Sequence, residues 1–404
     1  MESFTMTKNN WQTKKLSEVC DFQNGFAFKS KLFKENGFPV LRISNIQNDG
    51  ISYNRLVFFD KKSYKENFDK YQVLKGDLVI AMSGATTGKL AVCDTDEIFY
   101  LNQRVGKFKP KKDLVKDYLY YFLSTKIEEN LKISMGSAQP NLSTEQIKNF
   151  EIPLPPLPTQ HHIVKILDEV FAGIETAKAN TEKNLKNSKE VFESYLNSVF
   201  TSQKSKVEGQ KWEEKSLGDI CDVEYGYTTK AKNKGKYRFV RITDTDENGL
   251  LTKENKMYVD SFKEAEKYLL NNNDLLMART GASAGNVLLF ENDEPSVFAS
   301  YLIRMKFKKE IFSKLYWHFS KSKIYWDQVN QLSAGSAQPQ FNGGALKQII
   351  LNYPKSLTEQ KSIVAKLDAL SAETKKLEEI YMKKLASLEE LKKSVLKKAF
   401  AGEL

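Results

Sequence analysis

Two long stretches of the chain place apolar residues at intervals of three and four positions, the pattern of a helix with one buried face. The first stripe comprises Ile163, Leu167, Val170, Ile174, Ala177, Val191 and Tyr195. The second comprises Ile363, Leu367, Leu370, Thr374, Leu377, Tyr381, Leu388 and Val395. Lys and Glu occupy the outer faces, as in a coiled coil. We expect Thr159, which follows the proline-rich run 153–158, to cap the first helix.

The centre of the first stripe is polar, at Thr181, Asn184 and Ser188. Such positions can fix the register of a helix pair at some cost in stability, or can mark an open middle.

A mixed segment precedes each long helix. Short apolar runs at Val40–Ile43, Leu78–Ala81 and Leu90–Val92 lie between Gly and Asn residues and predict strands. The amphipathic aromatic stretches Tyr118–Phe122 and Leu315–Phe319 predict helices. Each half of the chain therefore combines a mixed globule with one long helix.

The chain repeats itself at an offset of about 200 residues. The segment from Trp11 to Asp21 returns from Trp212 to Asp222, and Asp77–Ala85 returns as Asp274–Ala282. Gly-Ser-Ala-Gln-Pro occurs unchanged at 136–140 and 335–339, and the pattern from Gln160 to Asp168 returns at 360–368. Four matches in one order establish an internal duplication. Gln139 and Gln338 lie in the identical motif, so we expect them to be structural or to contact backbone or partner.

Each apolar stripe needs a partner, and the simplest partner is the other stripe. Because the first helix leads from one globule to the next, the second must run back along it. We predict an α+β fold with two similar domains joined by an antiparallel coiled-coil pair about 60 Å long, related by a pseudo-two-fold axis. The predicted divisions are globules at 1–155 and 202–355 and helical spacers at 156–201 and 356–404.

Composition narrows the class of protein. The chain has 404 residues, a formal charge of +11 and a pI of about 9.1, which is compatible with a polyanionic partner. Three scattered cysteines and three histidines favour a reduced intracellular protein without a zinc site. No apolar run reaches the roughly 20 residues of a membrane span, and residues 1–15 lack the apolar core of a signal peptide. We expect a soluble protein.

Catalytic motifs are not found in the sequence. Gly84-Ala-Thr-Thr-Gly88-Lys89 has the wrong spacing for a phosphate-binding loop, so it predicts a tight turn between strands or a turn that contacts DNA. Cys20 and Cys221 occupy matching places and predict a repeated packing position. His161 and His162 are expected to face solvent at a helix start.

The whole chain resembles the specificity subunit of type I restriction–modification enzymes. The residues that carry the resemblance are Ile152–Gln160, Glu359–Val364, Leu396–Leu404, Gly76-Asp77-Leu78 with Ser83-Gly84, and the paired Gly-Ser-Ala-Gln-Pro. The chain departs from the family pattern at Thr159, where Glu is usual, at Tyr353-Pro354-Lys355, and at Val199-Phe200-Thr201.

The resemblance implies a non-catalytic, cytoplasmic subunit whose two target-recognition domains each bind one half-site of a split DNA sequence. The helices would act as a ruler and as the dock for two modification subunits, which use S-adenosylmethionine to methylate adenine. Restriction subunits that need ATP and Mg²⁺ can join, and the chain itself needs no cofactor or metal. Two half-sites about one helical turn apart, ~34 Å, suit such a two-domain protein.

We predict DNA contacts at the ends of matching strands, where the copies share geometry and differ in sequence. In copy one these are Arg42, Ser44, Asn45, Ser83, Thr86, Lys89, Gln103 and Arg104. In copy two they are Arg241, Thr243, Asp244, Arg279, Thr280, Ser283, Tyr301 and Arg304. Each residue taken singly could equally be solvated or paired within the protein.

Two other functions remain open. A solitary nuclease or methyltransferase would need a catalytic motif. A scaffold, or a solitary DNA-binding protein of the same fold without a restriction partner, would keep the helices, but a scaffold alone leaves the divergent polar loops unexplained.

Overall fold

A computed structural model describes residues 11–47, 50–134, 141–201, 212–246, 248–333 and 341–404. Both Gly-Ser-Ala-Gln-Pro segments, with Gln139 and Gln338, lie outside these residues. The chain divides into two compact units: unit 1 is Met1–Thr181 with Lys384–Leu404, and unit 2 is Glu182–Lys383. Within the described part of the chain, no helix has both the length and the apolar character that crossing a membrane requires.

Unit 1 contains short strands and three helices before its long helix. The strands are β1 (Gln12–Lys15), β2 (Cys20–Asn24), β3 (Phe38–Leu41), β4 (Ile46–Gln47), β5 (Gly50–Ile51), β6 (Val57–Phe59), β7 (Gln72–Val73), β8 (Leu78–Ala81), β9 (Leu90–Val92), β10 (Phe99–Leu101), β11 (Val105–Pro110) and β12 (Glu151–Leu154). The helices are α1 (Leu16–Val19), α2 (Lys116–Ser134), α3 (Thr144–Lys148) and α4 (Leu157–Thr201), the last of which continues into unit 2.

Unit 2 repeats this order. Its strands are β13 (Trp212–Ser216), β14 (Cys221–Tyr225), β15 (Tyr237–Val240), β16 (Tyr258–Val259), β17 (Leu275–Ala278), β18 (Val287–Leu289), β19 (Ser296–Phe298), β20 (Leu302–Phe307) and β21 (Ile350–Pro354). Its helices are α5 (Leu217–Ile220), α6 (Ala265–Tyr268), α7 (Ser313–Phe319), α8 (Lys323–Ser333), α9 (Gly343–Lys347) and α10 (Leu357–Ala401), the last of which continues into unit 1.

The sheets of the two units correspond. An antiparallel sheet has the order β2-β11-β8-β9 in unit 1 and β14-β20-β17-β18 in unit 2. A second sheet places β3 parallel to β10, and β15 parallel to β19. The pairs β1–β12 and β13–β21 join the start of each unit to the strand before its long helix. The α+β class and the duplication predicted from the sequence are confirmed.

Most predicted elements are present, and one strand lies two residues earlier than predicted. Strands β8 and β9 have the predicted bounds, and α2 and α7 contain the predicted helical stretches. Strand β3 ends at Leu41 rather than Ile43, because Ile43–Asn45 forms a 3-10 turn.

The start of α4 corrects the prediction that Thr159 is its cap. The helix begins at Leu157 and includes Pro158, and the Thr159 amide donates to the Pro156 carbonyl at 2.9 Å. Proline is tolerated in the first helical turn because its missing N–H would have had no partner within the helix.

Each unit packs part of α4 against part of α10 in an antiparallel direction. In unit 1, Glu175 pairs with Lys392 at 3.4 Å and Lys178 pairs with Glu389 at 3.1 Å, so the partner number falls as the α4 number rises. Unit 2 contains the pair Lys189–Glu378 at 3.9 Å.

The buried stripe of α4 departs from the predicted one in unit 2. Thr181 and Ser188 of the predicted polar centre are buried, but Val191 and Tyr195 are exposed and Leu196 is buried instead. A straight helix has 3.6 residues per turn, so a stripe extrapolated at 3.5 drifts by about 20° per heptad.

A buried glutamine at the start of each long helix joins the helix to its mixed domain. Gln160 accepts from the Val115 amide at 2.8 Å and donates to the carbonyls of Asp113 and Pro155, both at 2.9 Å. In unit 2, Gln360 makes the same three bonds, to Phe312, Glu310 and Pro354. Both side chains are fully buried, so the amide groups have no access to solvent.

An aspartate about two turns further along each helix binds an aromatic side chain. Asp168 accepts from the Tyr121 hydroxyl at 2.5 Å, and Asp368 lies 2.8 Å from Nε2 of His318. His318 is 1% exposed, and its Nδ1 has no partner among the described residues. Burial lowers the pKa of His318 to about 4, and the charges of Lys321 and Lys314 act in the same direction, against the raising effect of Asp368.

We predict that Gln160→Ala weakens the attachment of α4 to unit 1. The variant leaves one amide and two carbonyls without their partner, at a cost of about 3 kcal/mol. Hydrogen exchange at the Val115 amide should accelerate by roughly 100-fold. The Phe312 amide, held by the intact Gln360, should be unchanged, as should both amides in the exposed control Gln12→Ala. Unchanged exchange at Val115 would show that the bond contributes nothing.

We also predict that unit 2 loses stability as the pH falls from 6.5 to about 4. His318 is neutral in the folded unit throughout this range, whereas the unfolded chain takes up a proton below pH 6.5. The loss should approach about 3 kcal/mol at the low end. His318→Gln, which keeps a donor for Asp368, should remove this part of the slope in denaturant titrations at successive pH values. His161→Gln, at an exposed histidine, should not.

Candidate nucleic-acid interface

In unit 1, the predicted site residues of copy one converge on one edge of the sheets. Strand β8 ends at Ala81 opposite Val105, where β11 begins, and β3 ends beside the end of β10. The turn Gly84–Thr86 then approaches the turn Ile43–Asn45, because the Thr86 hydroxyl donates to the Ile43 carbonyl at 3.0 Å. We call this edge interface 1; it comprises 42–45, 83–89 and 102–104.

The side chains of interface 1 differ in their exposure to solvent. Ser44, Gln103 and Arg104 are exposed, and Ser83, Thr86 and Lys89 are half-buried. The Lys89 ammonium donates to the side-chain carbonyl of Gln47. The predicted tight turn after β8 is confirmed: Gly84 and Gly88 have φ of 77° and 85°, which disfavours other residues.

Two predicted residues support interface 1 from beneath. Asn45 is fully buried; it accepts from the Arg42 amide and donates to the carbonyls of Ser52 and Asn54 at 3.0 and 3.1 Å. The Arg42 guanidinium donates to the carbonyl of Arg55. We therefore revise the predicted role of Asn45 from DNA contact to support of the loop.

Unit 2 forms the corresponding edge. Strand β17 ends at Ala278 opposite Leu302, where β20 begins, and the Ala299 amide donates to the Val240 carbonyl at the end of β15. We call this edge interface 2; it comprises 225, 241–244, 279–286 and 300–301. Thr243 and Tyr301 are exposed there, and Arg279, Thr280 and Ser283 are half-buried.

The arginine at the end of β15 repeats the behaviour of Arg42. Arg241 binds the buried Asp244 at 2.7 Å and donates to the Asn255 carbonyl at 3.1 Å. Arg55 and Asn255, whose backbone carbonyls accept these hydrogen bonds, both have positive φ. Because the same bond forms in both units, Arg241 and Asp244 support the loop, which revises the predicted contact of Asp244 with DNA.

Arg304 is also a supporting residue rather than a surface one. It is 3% exposed, and it binds Glu224, lies 3.6 Å from Asp274 and donates to the Leu269 carbonyl. Lys107 takes its place in unit 1, where it binds Asp77 at 2.9 Å and donates to the carbonyl of Gln72. The aspartate of the repeated Asp-Leu motif thus neutralises a buried cation.

The sequence interpretation missed two features of these surfaces. Exposed lysines follow β2 and β14, at Lys29, Lys31 and Lys34 in unit 1 and at Lys230, Lys232, Lys234 and Lys236 in unit 2. Their recurrence after matching strands was a signal available in the sequence. Tyr225, which is 45% exposed and ends β14, gave no such signal, because its neighbours come from other strands.

The cysteines and histidines singled out in the sequence lie apart from interfaces 1 and 2. Cys20 and Cys221 are buried at the first positions of β2 and β14, and burial raises the pKa of each thiol to about 12. Among the described residues, no group of three His, Cys, Asp or Glu side chains could hold a metal ion. His161 and His162 are exposed at the start of α4.

Comparison with known proteins follows the two-unit organisation. The family described as "Type I restriction modification DNA specificity domain" matches residues 8–187 and 209–385. The StySPI specificity subunit of Salmonella potsdam and the EcoKI specificity subunit of Escherichia coli K12 are each 26% identical, over 98% of this chain and 89% of theirs.

Solved structures share the fold. A chain from a structure concerned with the assembly and conformational transition of the type I R-M system aligns with a TM-score of 0.79 and 18% identity, over 98% of both chains. The HsdS subunit of Thermoanaerobacter tengcongensis aligns with a TM-score of 0.62 and 18% identity, over 98% of this chain and 97% of that one.

The division between supporting and surface residues is testable by stability. Asn45→Ala should lower the free energy of unfolding of unit 1 by about 2 kcal/mol, because it leaves two carbonyls and an amide without the hydrogen bonds that the buried Asn45 side chain makes. Gln103→Ala, at an exposed position of the same interface, should change it by less than about 0.5 kcal/mol. Thermal unfolding of the full chain measures both. Equal effects would mean that Asn45 does not support the loop.

Proposed function

The chain belongs to the type I restriction–modification DNA specificity family, and from this membership we propose that it binds a bipartite DNA target, one half-site at each interface. Its relatives over 98% of the chain are specificity subunits. It is a non-catalytic subunit, because catalysis in these enzymes lies with partner subunits.

The observation that carries the proposal is shared geometry with different surface residues. In unit 1, the amide of Met82, the residue after β8, donates to the Arg104 carbonyl. In unit 2, the amide of Arg279, the residue after β17, donates to the Tyr301 carbonyl in the same way. The side chains on this bridge are Met82 and Arg104 in unit 1 but Arg279 and Tyr301 in unit 2. Two scaffolds of one shape with different polar surfaces are suited to two different half-sites.

We assign the proposed contacts by exposure and by partners. Base and phosphate contacts fall to the side chains that reach the surface: Ser44, Ser83, Thr86, Lys89, Gln103, Arg104, Thr243, Arg279, Thr280, Ser283 and Tyr301. Arg42 and Arg241 keep a proposed contact through the parts of their guanidinium groups that are not bound to the loop. The exposed lysines after β2 and β14 add phosphate contacts, which depend strongly on salt.

The long helices are proposed to fix the spacer between half-sites and to dock two modification subunits. This is supported by α4 and α10, each of which is a single helix of 45 residues, and by the antiparallel ion pairs within each unit. The predicted four-part division of the chain is kept as part of this proposal.

The proposed reaction takes place on the partners. Modification subunits would bind S-adenosylmethionine and methylate adenine after the base leaves the duplex, which requires no catalytic group from this chain. Restriction subunits, with ATP and Mg²⁺, would complete a cytoplasmic complex.

The test is to map N6-methyladenine across the genome with and without this gene, in the presence of its modification partner. We expect a bipartite motif with a spacer of constant length that disappears on deletion. A complex that assembles but methylates without sequence preference would favour the scaffold alternative. Methylation by the purified chain alone would favour the enzyme alternative.

In a second arm, residues 11–151 are exchanged for the first domain of a relative, which should change one half-site only. A change in both would contradict the modular proposal.

A further inference from the structure

Interface 2 contains an arginine held between two exposed tyrosine rings. The guanidinium carbon of Arg279 lies 5.4 Å from the ring centre of Tyr225 and 5.7 Å from that of Tyr301. The two rings are 45% and 54% exposed, so they stand at the surface rather than in the core. Aromatic faces attract a guanidinium and fix its plane.

The backbone and the rings around Arg279 are fixed as well. Its amide donates to the Tyr301 carbonyl at 3.0 Å, and its carbonyl accepts from the Phe341 amide at 2.9 Å. The Tyr225 hydroxyl accepts from the Gly343 amide at 3.1 Å, which anchors that ring at its far end. A side chain positioned in this way loses little conformational entropy when it binds a ligand.

The donors of Arg279 have no acceptor within the described protein. No hydrogen bond or ion pair to a described residue forms at its guanidinium, and its Nε is buried without a partner. This contrasts with Arg241, Arg238 and Arg304, which all donate to carboxylates or carbonyls of unit 2. Arg279 is thus a positioned cation whose outer nitrogens have no acceptor among the residues that the structure describes.

We propose that Arg279 reads a guanine in the half-site bound by unit 2, with Tyr225 and Tyr301 as positioning residues. This rests on the proposed function and adds the base and the residue that recognises it. Guanine presents N7 and O6 in one plane in the major groove, and two guanidinium N–H groups match this pair. A phosphate contact needs charge but no fixed plane, and the exposed lysines at 230–236 already supply charge.

Unit 1 gives the internal comparison. The residue equivalent to Arg279 is Met82, which is 5% exposed, and the residue equivalent to Tyr301 is Arg104, which is exposed. The same backbone hydrogen bond therefore has its arginine at the carbonyl side in unit 1 and at the amide side in unit 2. Arg279→Met gives unit 2 the residue that unit 1 has at this position.

The experiment measures methylation by the complex of this chain with its modification partner, on duplexes built from the mapped target. In the wild type, replacement of one guanine in the second half-site by 7-deazaguanine, which lacks N7, should reduce the methylation rate. Replacement of that guanine by another base should reduce it by roughly 10- to 100-fold. With Arg279→Met, both replacements should have no further effect.

Two variants separate base recognition from charge. Arg279→Lys keeps the charge without the planar pair of donors and should lose the preference for guanine, as should Tyr225→Ala with Tyr301→Ala. Arg104→Met should leave the preferences in the second half-site unchanged, and Lys263→Met, at an exposed lysine of unit 2, should change nothing. For the variants in unit 2, normal preference in the first half-site shows that the complex is folded.

The results that would overturn the proposal are distinct from failure of the proposed function. If the wild type methylates a bipartite motif and Arg279→Met keeps the same base preferences, Arg279 is not a reader. If Arg279→Met slows methylation equally on all sequences while Arg279→Lys restores the rate, the contact is to phosphate. Absence of any bipartite motif in the wild type would contradict the proposed function itself.

Discussion

The structure depends on the apolar closure of each unit by two helical segments from distant parts of the sequence. The core of unit 1 includes Ile163 and Leu167 near the start of α4 and Leu396 and Ala399 near the end of α10. The core of unit 2 includes Leu196 from the end of α4 and Leu367 from the start of α10. Each such leucine or isoleucine side chain contributes about 1.5–3 kcal/mol when fully buried. Without both segments, neither mixed domain has a complete core.

The anchor and the candidate interface occupy opposite ends of one strand. Strand β11 begins at Val105, beside interface 1, and ends at Pro110, a few residues before the Asp113 and Val115 groups that bind Gln160. Six residues of antiparallel strand span about 20 Å. The surface residues can therefore change without disturbing the buried bonds that hold the helix, and unit 2 keeps the same separation between Leu302 and the Glu310 and Phe312 groups that bind Gln360.

Because the chain is duplicated, comparing equivalent positions in the two units shows which interactions both units keep and which positions differ. Interactions found in both units, such as Gln160 and Gln360 or Lys107 and Arg304, belong to the scaffold. Positions with matching backbone bonds and different side chains, such as Met82 and Arg279, mark where the units are free to differ. Residue type alone does not separate scaffold residues from residues that differ between the units, because arginines occur in both groups.

The local sequence pattern was enough to predict the duplication, the α+β class, strands β8 and β9, and the long helices. Apolar periodicity and repeated motifs can be read directly from neighbouring residues. The pattern also predicted that the candidate contact residues would lie together, because the ends of adjacent strands meet at one edge of a sheet; that they contact DNA stays a prediction. It failed at Val191 and Tyr195, where a small error in helical period accumulates over several turns. It also failed for Asn45 and Arg304, whose burial and partners depend on segments far away in the chain.

The amino-acid sequence by itself determined that two related α+β units exist and which family they belong to, because these properties reside in the order and spacing of residues. Only the tertiary structure decided which polar side chains support the loops and which face solvent, because a hydrogen bond between distant segments leaves no periodic trace. The Tyr225–Arg279–Tyr301 cluster is the clearest case. Tyr225 ends β14, Arg279 follows β17 and Tyr301 precedes β20, and only the pairing of these strands brings the rings to the guanidinium.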